Sequence, residues 1–292
     1  QAIAILESRA AKVAEGARNK VKIKPGAPFF LAVGMVRPHV PLIAPENCFE
    51  PYPVNEMHLP EVKIGDNVPE EALRRKNERI WGMDTEQQRK TISAYMASVR
   101  FMDQQVGRLL DALDRLNLRE ETIVIFLSDH GYNLGEHDCW SKVSLWEGSV
   151  RVPLIFSVPG YNDTHGTTCE NITELLDLYP TLTELCGYQE EQPEILQGKS
   201  LVKYIEDSRQ KDDESMAFSV TYGGNAATLK TEKFRYTRWG EDGIQGKEEL
   251  YNHEEDPEEH FNLADNPEYE QQLKKIRQKF EAARKRARSG LN

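Results

Sequence analysis

Apolar residues along this chain fall into a few separate patterns, and each predicts a different element. From Ile92 to Leu113, positions Tyr95, Met96, Val99, Met102, Val106, Leu109, Leu110 and Leu113 recur at steps of three and four, the signature of a helix with one core-facing side. "APFFLAVGM", "TIVIFL" and "VPLIFSVPG" are instead short continuous apolar runs bounded by Pro and Gly, which predict strands buried on both faces. Buried strands separated by helices imply an α/β fold with a mainly parallel sheet flanked by helices. "AILESRAAKVAEGARN" reads as an opening helix, and "ITELLDLYPTLTELCG" as another with Thr173 as N-cap and Gly187 closing it.

Beyond about Asp207 the texture changes. "ESMAFSVTY", "AATLKT" and "KFRYTRW" are short strand candidates separated by Gly and charge, and "NPEYEQQLKKIRQKFEAARKRAR" predicts a final helix whose basic end suits the helix dipole. The division expected is an α/β core over residues 1–206 and a small antiparallel subdomain with a terminal helix over 207–292. A long polar, proline-rich connection from Pro38 to about Gln87 is long enough to suggest that it lines a site.

Composition narrows the function. The 292 residues are 39% hydrophobic, enough for a sizeable core, and a formal net charge of −11 argues against a nucleic-acid partner. An anionic substrate would have to be met by a few placed cations. No apolar run approaches the roughly 18 residues of a membrane span. Cys48, Cys139, Cys169 and Cys186 form no C-x-x-C pair; Cys169 and Cys186 flank a helix candidate and are the pair considered for a disulfide. Sequons at Asn162 and Asn171 permit an exported protein. The chain opens at Gln1 inside a helical pattern, so it reads as part of a longer polypeptide.

The densest chemistry is "LSDHGYNLGEHDCWSK", leaving the strand "TIVIF" at the end where α/β sheets place ligands. Taken alone, Asp129 and His130 fit a hydrogen-bonded loop as well as a metal site, Lys142 fits a solvated cation, and His137 fits a loop brace. Taken together, an acid able to hold a divalent cation, an imidazole and a lysine suit a tetrahedral anion whose charge builds as a bond breaks. That points to hydrolysis of sulfate or phosphate esters.

"SDHGYNLGEHDCWSK" followed by "EGSVRVPLIFSVPG" resembles the C-terminal portion of a type I sulfatase of the alkaline-phosphatase-like superfamily, in its iduronate-2-sulfatase branch. "PFFLAVGMVRPHVPLIAPENCFEPY", "YMASVRFMDQQVGRLLDAL", "LLDLYPTLTELCG" and "EELYNHEEDPEEHFNLA" extend the resemblance over almost the whole length. The resemblance implies that Asp129 and His130 are calcium ligands, that Lys142 contacts the sulfate and bridging oxygens, and that His39 stands on the other side of the sulfate. It implies a sugar-facing Tyr132, with His137 also assigned to substrate binding. His130 departs from the commoner Asp-Asn pair and is softer than calcium prefers.

The family's nucleophile is a formylglycine made from a C/S-x-P-x-R motif, and no such motif occurs here. The Asp-Asp pair that completes the single calcium site is also missing. The expectation is an N-terminal part that supplies both, either preceding this chain or standing as a separate chain of the same precursor. A sulfated sugar is the expected substrate and export the expected location. The alternatives are a phosphatase or phosphodiesterase of the same superfamily, or a non-catalytic sulfatase-like fragment. The resemblance also requires His39, Asp129, His130 and Lys142 to meet in one cleft.

Overall fold

The structure is a computed structural model and describes residues 1–10, 28–221, 224, 226–240 and 247–289. In chain order the helices are α1 (Ala2–Ala10), α2 (Asn77–Ile80), α3 (Thr85–Arg115), α4 (Glu147–Val150), α5 (Leu178–Leu185), α6 (Val202–Glu206) and α7 (Glu270–Ser289). The strands are β1 (Val124–Leu127), β2 (Asn133–Leu134), β3 (Trp140–Ser141), β4 (Leu154–Ser157), β5 (Met216–Val220), β6 (Ala226–Thr231), β7 (Phe234–Trp239) and β8 (Lys247–Asn252). Two compact units interleave along the chain, one of residues 1–59, 83–125 and 156–162, the other of residues 60–82, 126–155 and 163–292. The stretch from 207 onward shares its unit with residues 60–82, 126–155 and 163–206.

In the first unit, α3 starts before the apolar periodicity does. The Asp84 carboxylate accepts from the Gln87 N–H at 2.8 Å while the Gln87 side chain accepts from the Asp84 N–H at 2.9 Å, a capping box that satisfies orphan amides and fixes the start at Thr85. The far end of α3 buries Ala112 and Leu113 against Leu6 of α1 and Leu118. Of the expected opening helix, residues 4–10 are helical and the remainder lies outside the described residues.

The strand expected over 27–35 does not form among the described residues 28–35. Phe30 is 84% exposed and Val36 75%. A strand needs partners for its backbone N–H and C=O groups, and among the described residues none pairs here.

The second unit holds a four-stranded sheet in the order β5-β6-β7-β8, antiparallel throughout, with Leu229 opposite Tyr236 and Tyr236 opposite Leu250. One face carries Leu229, Tyr236 and Leu250. Against them α7 packs Leu273, Ile276, Phe280 and Ala283, a stripe spaced by three and four residues. β8 was not among the strands read from sequence; "KEELYN" is half charged, yet Glu249 is buried and accepts from Tyr251 Oη–H at 2.8 Å and from the Trp239 indole at 2.5 Å.

The chain holds both helices and sheets, but a mainly parallel sheet is not shown among the described residues. β1 and β4 neighbour each other in a two-stranded sheet, and every strand pair whose register is defined is antiparallel. Two further expectations are corrected. The N-cap before α5 is Glu174 and not Thr173: a 3-10 turn, Leu175–Asp177, precedes the helix, and the buried Asp177 carboxylate accepts from the Glu174 N–H at 2.9 Å. Gly187 does close that helix, at φ +75°. Cys169 and Cys186 are both free and exposed, so no disulfide joins them. No helix among the described residues is long and apolar enough to cross a membrane.

Candidate active site

Residues 128–151, following β1, belong to the second unit. Asp129 is exposed, its carboxylate accepting from the His130 N–H at 3.1 Å. The His130 ring sits 2.8 Å from the Gly131 carbonyl through Nδ1, and a carbonyl can only accept, so Nδ1 carries the proton and Nε2 keeps its lone pair. That Nε2 lies 3.7 Å from the second Asp129 oxygen. A carboxylate oxygen and an imidazole nitrogen are therefore side by side, with the imidazole oriented by a backbone carbonyl as ligating histidines usually are. The donor set suits a divalent cation, but two residues fall short of the roughly six to eight ligands calcium takes.

Lys142 sits in a constrained stretch. β2 and β3 pair antiparallel, Asn133 opposite Ser141 and Leu134 opposite Trp140. Ser141 and Val143, on either side of Lys142, have φ of +76° and +69°, and His137 and Asp138 are at +54° and +57°. A left-handed β-branched valine is costly and persists only where surroundings enforce it. On the Ser141 side such surroundings are in place: the Trp140 N–H donates to the Arg75 carbonyl at 3.0 Å, and Arg75 Nη2 donates to Ser141 Oγ at 3.4 Å. Lys142 is half-buried, and no hydrogen bond or ion pair of its ammonium occurs among the described residues.

His137 is buried at 5% exposure, its ring stacked on Trp146 with centroids 3.8 Å apart. Burial pushes its pKa down to about 4, so the ring is neutral at pH 7. The geometry is that of a brace. Tyr132 is half-buried, one residue before β2.

His39 belongs to the first unit and is exposed. Its Nδ1 lies 2.7 Å from the Val40 carbonyl, leaving Nε2 with the lone pair as in His130, while Arg37 Nη1 donates to the His39 carbonyl at 2.8 Å. The structure thus brings Asp129 and His130 into direct proximity and holds Lys142 in the same braced segment. His39 stands in the other unit.

Reading the sequence missed a buried network nearby. The carboxylates of Glu147 and Glu259 and the ring of His253 place one ligand atom each within 4.8 Å of one another, a spacing that could hold a metal. An arginine already balances the charge. Arg235, only 3% exposed, donates through Nε to Glu259 at 2.5 Å and through Nη2 to Glu147, while His253 Nε2 donates to Glu259 at 2.8 Å. Burial alone would raise the Glu259 carboxyl, but Arg235, His253 and the Glu147 N–H outweigh it and hold the pKa at about 2. The cluster is an ion network. "WEGSV", "FRYTRW", "YNHEE" and "DPEEH" carry its members, yet nothing in their spacing announces that they meet.

Two family profiles match the chain: Sulfatase over residues 8–188, and N-sulphoglucosamine sulphohydrolase, C-terminal, over residues 135–286. A sulfatase of Formosa agariphila is 35% identical over 258 residues, covering 86% of this chain and 49% of that protein. Human iduronate 2-sulfatase is 36% identical over 207 residues, covering 58% of this chain and 38% of that one. Among solved structures, a candidate sulfatase, yidJ, from Bacteroides fragilis superposes with a TM-score of 0.75 at 24% identity over 98% of this chain and 57% of that one. The fold is also that of a phosphonate monoester hydrolase from Agrobacterium radiobacter, with a TM-score of 0.73 at 22% identity over 88% and 57% of the two chains. The chain spans about half the length of the first of these relatives. A profile match over more than half of the sequence, in the segment that holds His39, Asp129, His130 and Lys142, makes this chain a member of the sulfatase family.

Proposed function

We propose that the protein carrying this chain is a sulfuric ester hydrolase acting on a sulfated carbohydrate, with an iduronate-type sulfate ester as the substrate class. The observation that supports it best is the pairing of an open carboxylate and an open imidazole nitrogen, Asp129 and His130, in the braced segment that also presents the Lys142 ammonium, which has no partner among the described residues. Calcium, when bound, would draw negative charge from the sulfate oxygens, and Asp129 and His130 would hold it together with ligands outside these residues. Lys142 donates to the sulfate and bridging oxygens and offsets the charge that grows as the S–O bond breaks. His39, whose Nε2 lone pair is open to take up a proton from solvent, would then pass that proton to the departing sugar oxygen. Tyr132 faces the sugar. His137 keeps the segment in shape, since its ring is covered by Trp146.

On this reading the nucleophile is a formylglycine on a preceding segment, β1 and β4 belong to a larger, mainly parallel sheet, and the protein is exported. The likeness to a phosphonate hydrolase favours one second reading, a phosphoryl-transferring member of the same superfamily. The test uses the longest natural polypeptide containing this chain. Sulfate release from a 2-O-sulfated iduronate disaccharide or an aryl sulfate, abolished by a calcium chelator, is the expected result. Turnover of phosphate or phosphonate esters only, with bound zinc, would overturn it.

A further inference from the structure

The buried ion network has no part in the chemistry proposed above, yet its geometry runs straight to the segment that does. Glu259 accepts from the Glu147 N–H at 2.8 Å, so it holds the first residue of α4 by its backbone while Arg235 holds the same residue by its side chain. Glu259 itself is at φ +60° and 1% exposed, a strained backbone kept by its surroundings.

From α4 the grip passes in two directions. The Gly131 N–H, one residue past His130, donates to the Ser149 carbonyl at 2.8 Å. The approach is so close that a Cβ on Gly131 would lie 2.1 Å from the Gly148 carbonyl oxygen. On the other side, Ser144, two residues past Lys142, donates to Ser149 Oγ at 2.7 Å and accepts from Asn133 Nδ2 at 3.1 Å. The ends of the segment bearing Asp129, His130 and Lys142 are both tied to one four-residue turn.

We propose that Arg235 and Glu259 are positioning residues: with Glu147 they fix α4, and α4 fixes the spacing between the Asp129–His130 pair and Lys142. The proposal rests on the assignment of those three residues to the sulfate site. Arginine is required because only its planar fork can bond two carboxylates at once in fixed directions. The cost of burying three charges is then spent on geometry that an apolar trio could not supply.

The test replaces the arginine together with both carboxylates it pairs with by apolar residues of similar volume, Glu147→Met, Arg235→Met and Glu259→Leu, which leaves neither carboxylate stranded without its arginine. Two readouts are taken on variants shown to be folded by near-ultraviolet circular dichroism. On the 292-residue chain, the Gly131 amide should exchange about tenfold faster or more than in the parent. On the longest natural polypeptide containing the chain, kcat for an aryl sulfate should fall about tenfold or more with KM changed by less than about threefold. Arg235→Lys, which keeps the charge and loses the fork, should shift both in the same direction and serves if the triple variant does not fold. Unchanged Gly131 exchange, or unchanged kcat, in a folded variant overturns the proposal. If the parent polypeptide hydrolyses no sulfate ester, the functional reading fails, and Gly131 exchange still decides whether the network positions the segment.

Discussion

The segment 128–151 and the stretch 28–43 carry the candidate residues of one chemistry, but their physical states are opposite. The first is stitched by buried hydrogen bonds, a ring stack and an ion network, and it tolerates four left-handed non-glycine residues. The second presents Phe30, Val33, Val36, Val40 and Ile43 to solvent, and among the described residues its His39 is held by exposed local contacts, its own ring to the Val40 carbonyl and the Arg37 guanidinium to its carbonyl. Geometry at Lys142 is enforced by its own unit, whereas the arrangement around His39 draws little from burial. Equivalent substitutions in the two places should therefore have very different costs.

The largest difference is expected for arginines. Arg235→Met takes the guanidinium from the fully buried Glu259 and leaves Glu147 only the exposed Arg151 at 3.6 Å, and should cost about 3 to 5 kcal/mol, read as a fall in the urea midpoint. Arg37→Met removes one exposed hydrogen bond and should cost less than about 1 kcal/mol. Equal costs would erase the distinction. Phenylalanines make the same contrast through packing. Phe280→Ala opens the core beneath α7, where Phe280 meets Tyr236 and Phe218 edge-on, and should cost about 3 to 5 kcal/mol. Phe30→Ala, at a largely exposed position, should stay within about 0.5 kcal/mol.

Protonation sharpens the picture. His137 has a folded pKa of about 4 against an ordinary 6.5, so below pH 6.5 the unfolded chain takes up a proton that the folded chain refuses. Stability should therefore fall as the pH drops from about 6.5 to about 4, by about 3 kcal/mol from this group. His137→Phe, which keeps a ring over Trp146, should flatten that part of the profile in a pH series of thermal melts; a parent-like slope would show that the proton is taken up elsewhere. Smallest is Gly131→Ala, whose Cβ must push the Gly148 carbonyl aside, at about 1 to 3 kcal/mol. Gly34→Ala, with open space around its Cβ, should leave the melting point nearly unchanged.

The sequence made some of this legible and hid the rest for physical reasons. Helix α3, the first three strands of the antiparallel sheet and helix α7 follow from periodicity because each buries one face against a neighbour within the described residues. The run at 27–35 misled because continuous apolarity reports a demand for burial and cannot say what covers it. β8 was passed over because its glutamates find partners outside the strand, as where Arg277 Nε donates to the Glu248 carboxylate at 2.9 Å. Asp129, His130, Lys142 and His39 stood out through motif and resemblance. Arg235 and Glu259 did not, since a buried arginine and a buried acid look like surface charge until the fold joins residues 24 positions apart.

The most direct measurement is sulfate release from an aryl sulfate by the longest natural polypeptide containing this chain, parent against Lys142→Met, with melting temperatures checked in parallel. With the ammonium gone and no partner among the described residues left unpaired by its loss, kcat/KM should fall about a hundredfold or more while the melting temperature stays within about 2 °C. A folded Lys142→Met protein with the parent's kcat/KM would contradict the assignment of this segment to the sulfate site.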